Sequence, residues 1–348
     1  MKKTLLPSML TFFLMLFAIS VFAAEKKQNK QNKPTINLIY KAMGFGLARD
    51  AEILTNELKN LGYSVRSFKV NSSKPVRQAD INVFLQEPNQ DHFSSAKKNY
   101  LIPNPEWYYK DVSLISEFDM ILCKTREGER IFKQYNPNTV FIGFTSFDRY
   151  DEKIKKNYRQ AVHVAGKSLQ KGTDSVVEAW ELNPQLPGLT IYRYEGRIDY
   201  PPLYNVRLFC CFLPDDELIK IQNSYGLHLC PSETEGFGQY LSEALSCGGI
   251  PITTDAPPMN EFVTDERCLA TYRHTSEQFL ATNYYVDPEH LGQVVAKLML
   301  LSDDELAEIG RKNRQFYLDS KHKFEKKIRK IFAFDKKDTA LSKNRPQL

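Results

Sequence analysis

The chain has 348 residues, 42% hydrophobic and 26% charged, which is enough apolar material for two folded domains and too much for a disordered tail protein. No Gly-X-Y period, heptad or 20–50-residue repeat is present, so collagen, long coiled coils and solenoids are excluded. The net charge of +5 belongs to the ends, with +5 on residues 1–34 and +7 on residues 320–348; residues 35–319 therefore stand at −7, and nucleic acid is not an expected partner.

Residues 1–24 read as a targeting segment. Lys2 and Lys3 precede an apolar run from Leu5 to Ala24, and Val21-Phe22-Ala23 resembles a cleavage site. The run is near the upper length of a signal and near the lower length of a spanning helix, so a cleaved signal and an uncleaved membrane anchor are both open. The cleaved form is preferred because a polar linker, residues 25–34, follows at once and is expected to be disordered. The expected location is therefore export or the secretory pathway. Six cysteines (Cys123, Cys210, Cys211, Cys230, Cys247 and Cys268) form no CxxC pair or zinc spacing, and several sit in apolar runs. They are read as small hydrophobes rather than a disulfide framework.

From Thr35 onward, short apolar runs alternate with helical patterns. Ile36–Tyr40 predicts a strand, Gly44-Phe45-Gly46 a turn, and Arg49–Asn60 a helix with Ile53, Leu54, Leu58 and Leu61 on one face, closed by Gly62. Strands are expected at 64–68, 81–85, 120–122 and 140–142. A polar break at Thr145–Tyr158 reads as a hinge. The alternation then restarts, with strands at 161–165, 189–192, 206–209, 227–230 and 250–253 and helices at 174–182 and 238–246. Strands separated by helices imply a parallel sheet, and two such units in tandem imply a cleft between their carboxyl edges. The expected domains are 35–150 and 151–315, followed by a basic helix and tail at 316–348.

The chemistry is concentrated in Pro231-Ser232-Glu233-Thr234-Glu235-Gly236-Phe237-Gly238-Gln239-Tyr240-Leu241-Ser242-Glu243. A strand ends at Cys230, a loop with two glycines follows, and a helix starts near Gly238. Glycines let backbone approach a ligand closely, and the free N–H groups of a helix start attract anions. Carboxylates cannot hold a phosphate, but they accept hydrogen bonds from sugar hydroxyls. Glu235 and Glu243 are therefore candidates for hydroxyl-rich groups on either side of a diphosphate. Upstream, Gly166-Lys167-Ser168-Leu169-Gln170-Lys171-Gly172 follows a strand and places two lysines beside glycine, suited to a diphosphate. It lacks the order of a Walker A loop.

Together these stretches resemble the retaining glycosyltransferases of group 1, with the GT-B fold of two Rossmann-like domains facing across a cleft. The resemblance rests on the E-x7-E spacing of Glu235 and Glu243, on the preceding Cys230-Pro231-Ser232-Glu233 and on the 166–172 turn, and it covers about residues 160–265. It implies that Glu243 holds the ribose hydroxyls, that Glu235 contacts the transferred sugar, and that Lys171 and Lys167 neutralise the leaving diphosphate. Gly236, Phe237 and Gly238 would line the donor site, and Gly44 and Gly46 occupy the place of the family's amino-terminal phosphate-facing turn. The expected reaction is metal-independent, retaining transfer of a hexose-type sugar from a UDP- or GDP-sugar to an unidentified acceptor, with the first domain on the acceptor side and no cofactor. The alternatives are a GT-B-shaped binding protein without turnover and a nucleotide-sugar epimerase. Two departures from the family stand out. The 166–172 turn is one residue short with Lys167 for arginine, and the first domain's lone histidine, His92, lies in a polar loop unlike the family's sugar-contacting histidine. Ile102–Tyr109 and Gly143–Asp151 are unusual aromatic segments that either line the acceptor side or hinge, or serve packing.

Near the end, Phe324, Ile328, Ile331 and Phe332 form one helical stripe with basic residues mostly opposite. Such a stripe either docks on the protein or lies on an anionic membrane as a peripheral contact.

Overall fold

The computed structural model describes residues 33–41, 44–70, 75–196 and 199–333. The expected signal or anchor at 1–24, most of the 25–34 linker and the basic tail beyond residue 333 lie outside the described residues.

The first domain is a six-stranded parallel sheet. Its strands are β1 (Thr35–Tyr40), β2 (Ser64–Lys69), β3 (Ala79–Leu85), β4 (Ala96–Ile102), β5 (Met120–Cys123) and β6 (Thr139–Phe141), in the spatial order β2-β1-β3-β4-β5-β6. Alternation along β1 sends Ile36 and Leu38 to the face covered by α1 (Phe45–Asn60), where they join Leu54 and Leu58. Ile39 turns to the other face, with Phe84, Leu101 and Phe118. Both faces are buried, as parallel sheets require. Across the sheet's middle, Asn37, Asn82 and Asn99 lie in register, and each amide donates to the next at 2.9 Å. The pairing satisfies amide groups that would otherwise be costly to bury, with Asn37 Oδ1 the exception. A second helix of this domain, α2 (Arg126–Phe132), follows β5.

The second domain repeats the design with β7 (Asn157–Gly166), β8 (Leu189–Arg193), β9 (Val206–Cys210), β10 (Tyr225–Cys230), β11 (Ile250–Thr254) and β12 (Leu269–Ala270), ordered β12-β11-β10-β7-β8-β9 and all parallel. Its helices are α3 (Thr173–Leu182), α4 (Asp215–Ser224), α5 (Gln239–Ser246), α6 (Pro288–Met299) and α7 (Asp303–Ile331). Trp180, Ile191, Leu227, Leu229, Ile252 and Val295 form its core. An antiparallel hairpin, β13 (Tyr272–Gln278) and β14 (Ala281–Val286), stands apart from both sheets. Two parallel α/β domains in tandem is the expected architecture.

The chain crosses between the domains twice. The first crossing, residues 142–156, has no helix or strand. The second is α7, which runs unbroken through residue 316, where composition alone suggested a boundary. Its Leu306 and Ile309 belong to the second domain's core, whereas Tyr317, Phe324 and Ile328, with Phe332 just beyond, belong to the cluster that joins Ile36, Leu38 and Leu54 of the first domain to Phe237, Leu241 and Phe262 of the second. The Tyr63 hydroxyl donates to the Phe332 carbonyl at 3.0 Å. Docking therefore consumes the apolar stripe, and membrane contact by that stripe would require α7 to detach. No described helix is long and apolar enough to cross a membrane. All six cysteines are free thiols, buried except Cys210 and Cys211.

Candidate active site

In the second sheet the chain runs from β7 outward through β8 and β9, then returns to place β10, β11 and β12 on the other side. The switch point lies between β7 and β10, and in open α/β sheets the crevice outside the carboxyl ends at that point is where ligands bind. The two sequence motifs leave those two strands. The turn after β7 delivers Lys171 and the loop after β10 delivers Glu235. Gly172 has φ +66, and a Cβ there would lie 2.2 Å from the Pro231 carbonyl oxygen, so glycine is required for the two loops to meet.

Lys171 Nζ donates to Glu235 Oε1, and the same oxygen accepts from Ser232 Oγ at 2.5 Å. The ammonium also lies 3.8 Å from the centroid of the Tyr240 ring. Beneath the pair, His163 Nδ1 donates to the Leu229 carbonyl at 2.7 Å and Nε2 accepts from Thr173 Oγ1 at 2.9 Å. Burial pushes this imidazole down to about 4, so it stays neutral and ties β7 to β10 and α3. Both neighbouring helices begin with glycine in the left-handed region, Gly172 before α3 and Gly238 (φ 88) before α5, and neither start has a side-chain cap. Their first amides are thus donors for an anion.

The remaining expected residues divide. Glu243 is buried on α5, with Oε1 3.0 Å from Arg149 and Oε2 accepting from Gln222 at 2.9 Å. Lys167 is not brought to Glu235; it pairs with Glu195 at 2.8 Å on the surface, and that hydrogen bond raises its pKa. Phe237 packs edge-on against Phe144 and Phe262, at 5.3 and 5.2 Å between ring centres, so its side chain is committed to the core. Gly44 has φ +81 and starts α1 without a side-chain cap, whereas Gly46 has neither positive φ nor a close neighbour to require glycine. His92 is half-buried in a short 3₁₀ turn, Gln90–Ser95.

Sequence reasoning missed the groups facing this pair from the first domain. Ile102–Tyr109 leaves the carboxyl end of β4 and lays Asn104 and Glu106 against Gly236. A Cβ on that glycine would lie 2.5 Å from Asn104 Oδ1 and 2.8 Å from Glu106 Oε1. Burial pushes the Glu106 carboxyl up to about 7. The hairpin tip spans the same cleft: Gln278 Nε2 donates to the Glu106 carbonyl at 2.8 Å, and the Leu280 amide donates to that of Pro105 at 3.3 Å. Arg149, in the second aromatic segment, joins Glu243 to Asp215 (2.9 Å), and Asp215 takes Arg49 of α1 at 2.6 Å. The only signal in the sequence was the odd composition of these two segments.

Residues 203–316, from just before β9 into α7, match the family model of the group 1 glycosyl transferases. That match covers about a third of the chain, and the two-domain fold is that of GT-B glycosyltransferase structures. Solved structures agree in shape. A glycosyltransferase from Rickettsia africae is 15% identical, with a TM-score of 0.59 over 90% of this chain and 100% of that one. WaaG, a glycosyltransferase involved in lipopolysaccharide biosynthesis, is 16% identical, with a TM-score of 0.60 over 86% and 100%. HepE from Anabaena, solved in complex with UDP, is 12% identical, with a TM-score of 0.62 over 86% and 99%. At these identities the likeness is one of fold. No curated protein matches the sequence.

Proposed function

We propose that the protein transfers a sugar from a UDP- or GDP-sugar to an acceptor, with retention at the anomeric carbon and without a divalent metal. The observation that carries this reading is the Lys171–Glu235 pair at the switch point, set between two uncapped helix starts. The diphosphate lies at the start of α5 within reach of Lys171, the transferred sugar at Glu235, and the ribose at Glu243. HepE, similar in fold, was solved with UDP, which favours a nucleotide donor here.

As the glycosidic bond breaks, negative charge grows on the departing diphosphate. Preorganised cations and amides lower the barrier most where that charge develops. Lys171 has three N–H donors and spends one on Glu235, which leaves two for phosphate oxygens. Lys167 sits in an exposed ion pair of little net worth, so exchanging Glu195 for a phosphate costs little. Glu243 accepts one bond at each oxygen, and a carboxylate has about four lone-pair sites, which leaves capacity for ribose hydroxyls.

The test is nucleotide release from UDP- and GDP-sugars, with and without a panel of acceptors and with saturating EDTA. Acceptor-dependent release that ignores EDTA is expected. An altered sugar formed without acceptor would make the protein an epimerase, and binding without turnover would make it a recognition module. Loss of activity in EDTA with rescue by manganese would refute the metal-free mechanism.

A further inference from the structure

A cavity of about 120 Å³ lies where both crossings between the domains pass. The first crossing lends it Ile142 and Phe144, and α7 lends it Phe316, Ser320, Lys323 and Lys327. Phe237 and Leu245 close it from the loop before α5 and from α5 itself. Its wall is mostly apolar. An apolar cavity of about 150 Å³ takes a benzene molecule, so on this scale the space suits one ring or a short branched chain.

The charges around it are unbalanced. Lys327 Nζ donates to the Phe141 carbonyl at 2.8 Å and lies 3.9 Å from that residue's ring centre. This spends one of its three N–H donors. Lys323, one turn earlier on the same helix face, is exposed and forms no ion pair among the described residues. The other charged groups here are already matched. Lys124 pairs with Asp50 at 2.6 Å, and Arg126 with Glu129 at 2.8 Å. Glu261, the one carboxylate in the wall, accepts from the Arg126 and Glu127 amides. Burial, Arg126 and Lys323 together lower the Lys327 pKa against the pull of Glu129, so its ammonium lacks a counter-charge. A neutral apolar ligand would leave that imbalance in place, whereas an apolar anion relieves it.

We propose that this cavity binds a small apolar carboxylate, an aryl or short branched-chain acid, with its body among Phe144, Phe237 and Leu245 and its carboxylate at Lys323 and Lys327. The site is separate from the Lys171–Glu235 pair and does not depend on the sugar-transfer reading. Its wall comes from both domains and both crossings, so the acid binds only the arrangement in which these parts meet, and binding stabilises that arrangement. Phe237 stands between Gly236 and Gly238, so the bound acid also touches the loop that carries Glu235.

The test titrates the full chain with benzoate, benzyl alcohol, benzylamine and acetate by ligand-observed NMR. Benzoate should bind about tenfold more tightly than benzyl alcohol, the worth of one charge-assisted hydrogen bond. Acetate, which lacks the ring, should bind as weakly as the alcohol or worse, and benzylamine should not bind. Replacing both lysines (Lys323→Gln, Lys327→Gln) should bring benzoate down to the affinity of benzyl alcohol. Independently, Ser320→Trp, at a half-buried position in the wall, should fill the space and abolish binding of both with the lysines intact. Circular dichroism of the ligand-free variants reports folding. At saturating benzoate, amide exchange at residues 142–145 and 235–238 should slow, a response that anion binding to surface lysines does not give. The proposal is overturned if benzoate binds no better than benzyl alcohol or acetate, if Ser320→Trp binds it as wild type does, or if exchange in both segments is unchanged.

Discussion

The starts of α3 and α5 differ from those of α2, α6 and α7. At α2 the Thr125 hydroxyl accepts from the Gly128 amide at 3.0 Å, and Glu261 of the other domain accepts from the Arg126 and Glu127 amides at 2.8 and 2.9 Å. Asp287 caps α6, and Ser302 with Glu305 forms a capping box on α7. The starts of α3 and α5 carry glycine instead, although a capping side chain is typically worth ~1 kcal/mol. Amides that are filled intramolecularly serve stability; amides left open at a switch point are available to a ligand. The Glu261 carboxylate on α2 shows, within the same molecule, the kind of anion such a start accepts.

The sharpest way to break that contrast is at the open site. Glu235→Gln should lower turnover by about 2–4 kcal/mol in barrier, roughly 30- to 1000-fold, with free UDP or GDP binding nearly unchanged. Steady-state kinetics beside calorimetric titration checks it, and equal turnover would remove Glu235 from the chemistry. A smaller loss is expected from Lys171→Ala, about 1.5–3 kcal/mol of nucleoside-diphosphate affinity with the monophosphate affected less. Lys167→Ala, whose partner is exposed, should cost less than Lys171→Ala. Equal affinity of all three proteins for UDP and UMP would show that neither lysine meets the phosphates. Least of all, Thr125→Ala should lower stability by ~1 kcal/mol in denaturant melts while leaving UDP affinity alone. A drop in affinity there would mean that the closed start also serves the ligand.

Much of this was legible in the sequence where burial is one-sided or complete. The strands β1, β3, β10 and β11 read as apolar runs because both faces are covered, and Lys171, Glu235 and Gly238 were legible because their spacing is local. Strand β4 was not, since Lys97 and Lys98 are exposed and Asn99 is spent on the asparagine ladder, leaving apolar residues only at Tyr100–Ile102. The β13–β14 hairpin was invisible because β13 is exposed almost throughout and carries no buried period. Glu106 and Arg149 acquire meaning only when distant segments meet, Glu106 against Gly236 and Arg149 against Glu243. No local pattern encodes such a meeting.

Helix α7 has a consequence for how the chain is made. The first domain's core includes Leu38, Leu54 and Tyr63 from its beginning and Phe324, Ile328 and Phe332 from the far end of the described chain. About 270 residues separate Tyr63 from Phe332, whose backbone it holds. A growing chain therefore cannot finish its first domain until α7 has emerged, whereas the second domain can bury much of its core earlier. The order of completion is reversed from the order of synthesis, and closing so long a loop slows the final step. Until then the apolar face that will receive α7 stays uncovered, the state in which a nascent chain is most exposed to aggregation and most readily held by a chaperone.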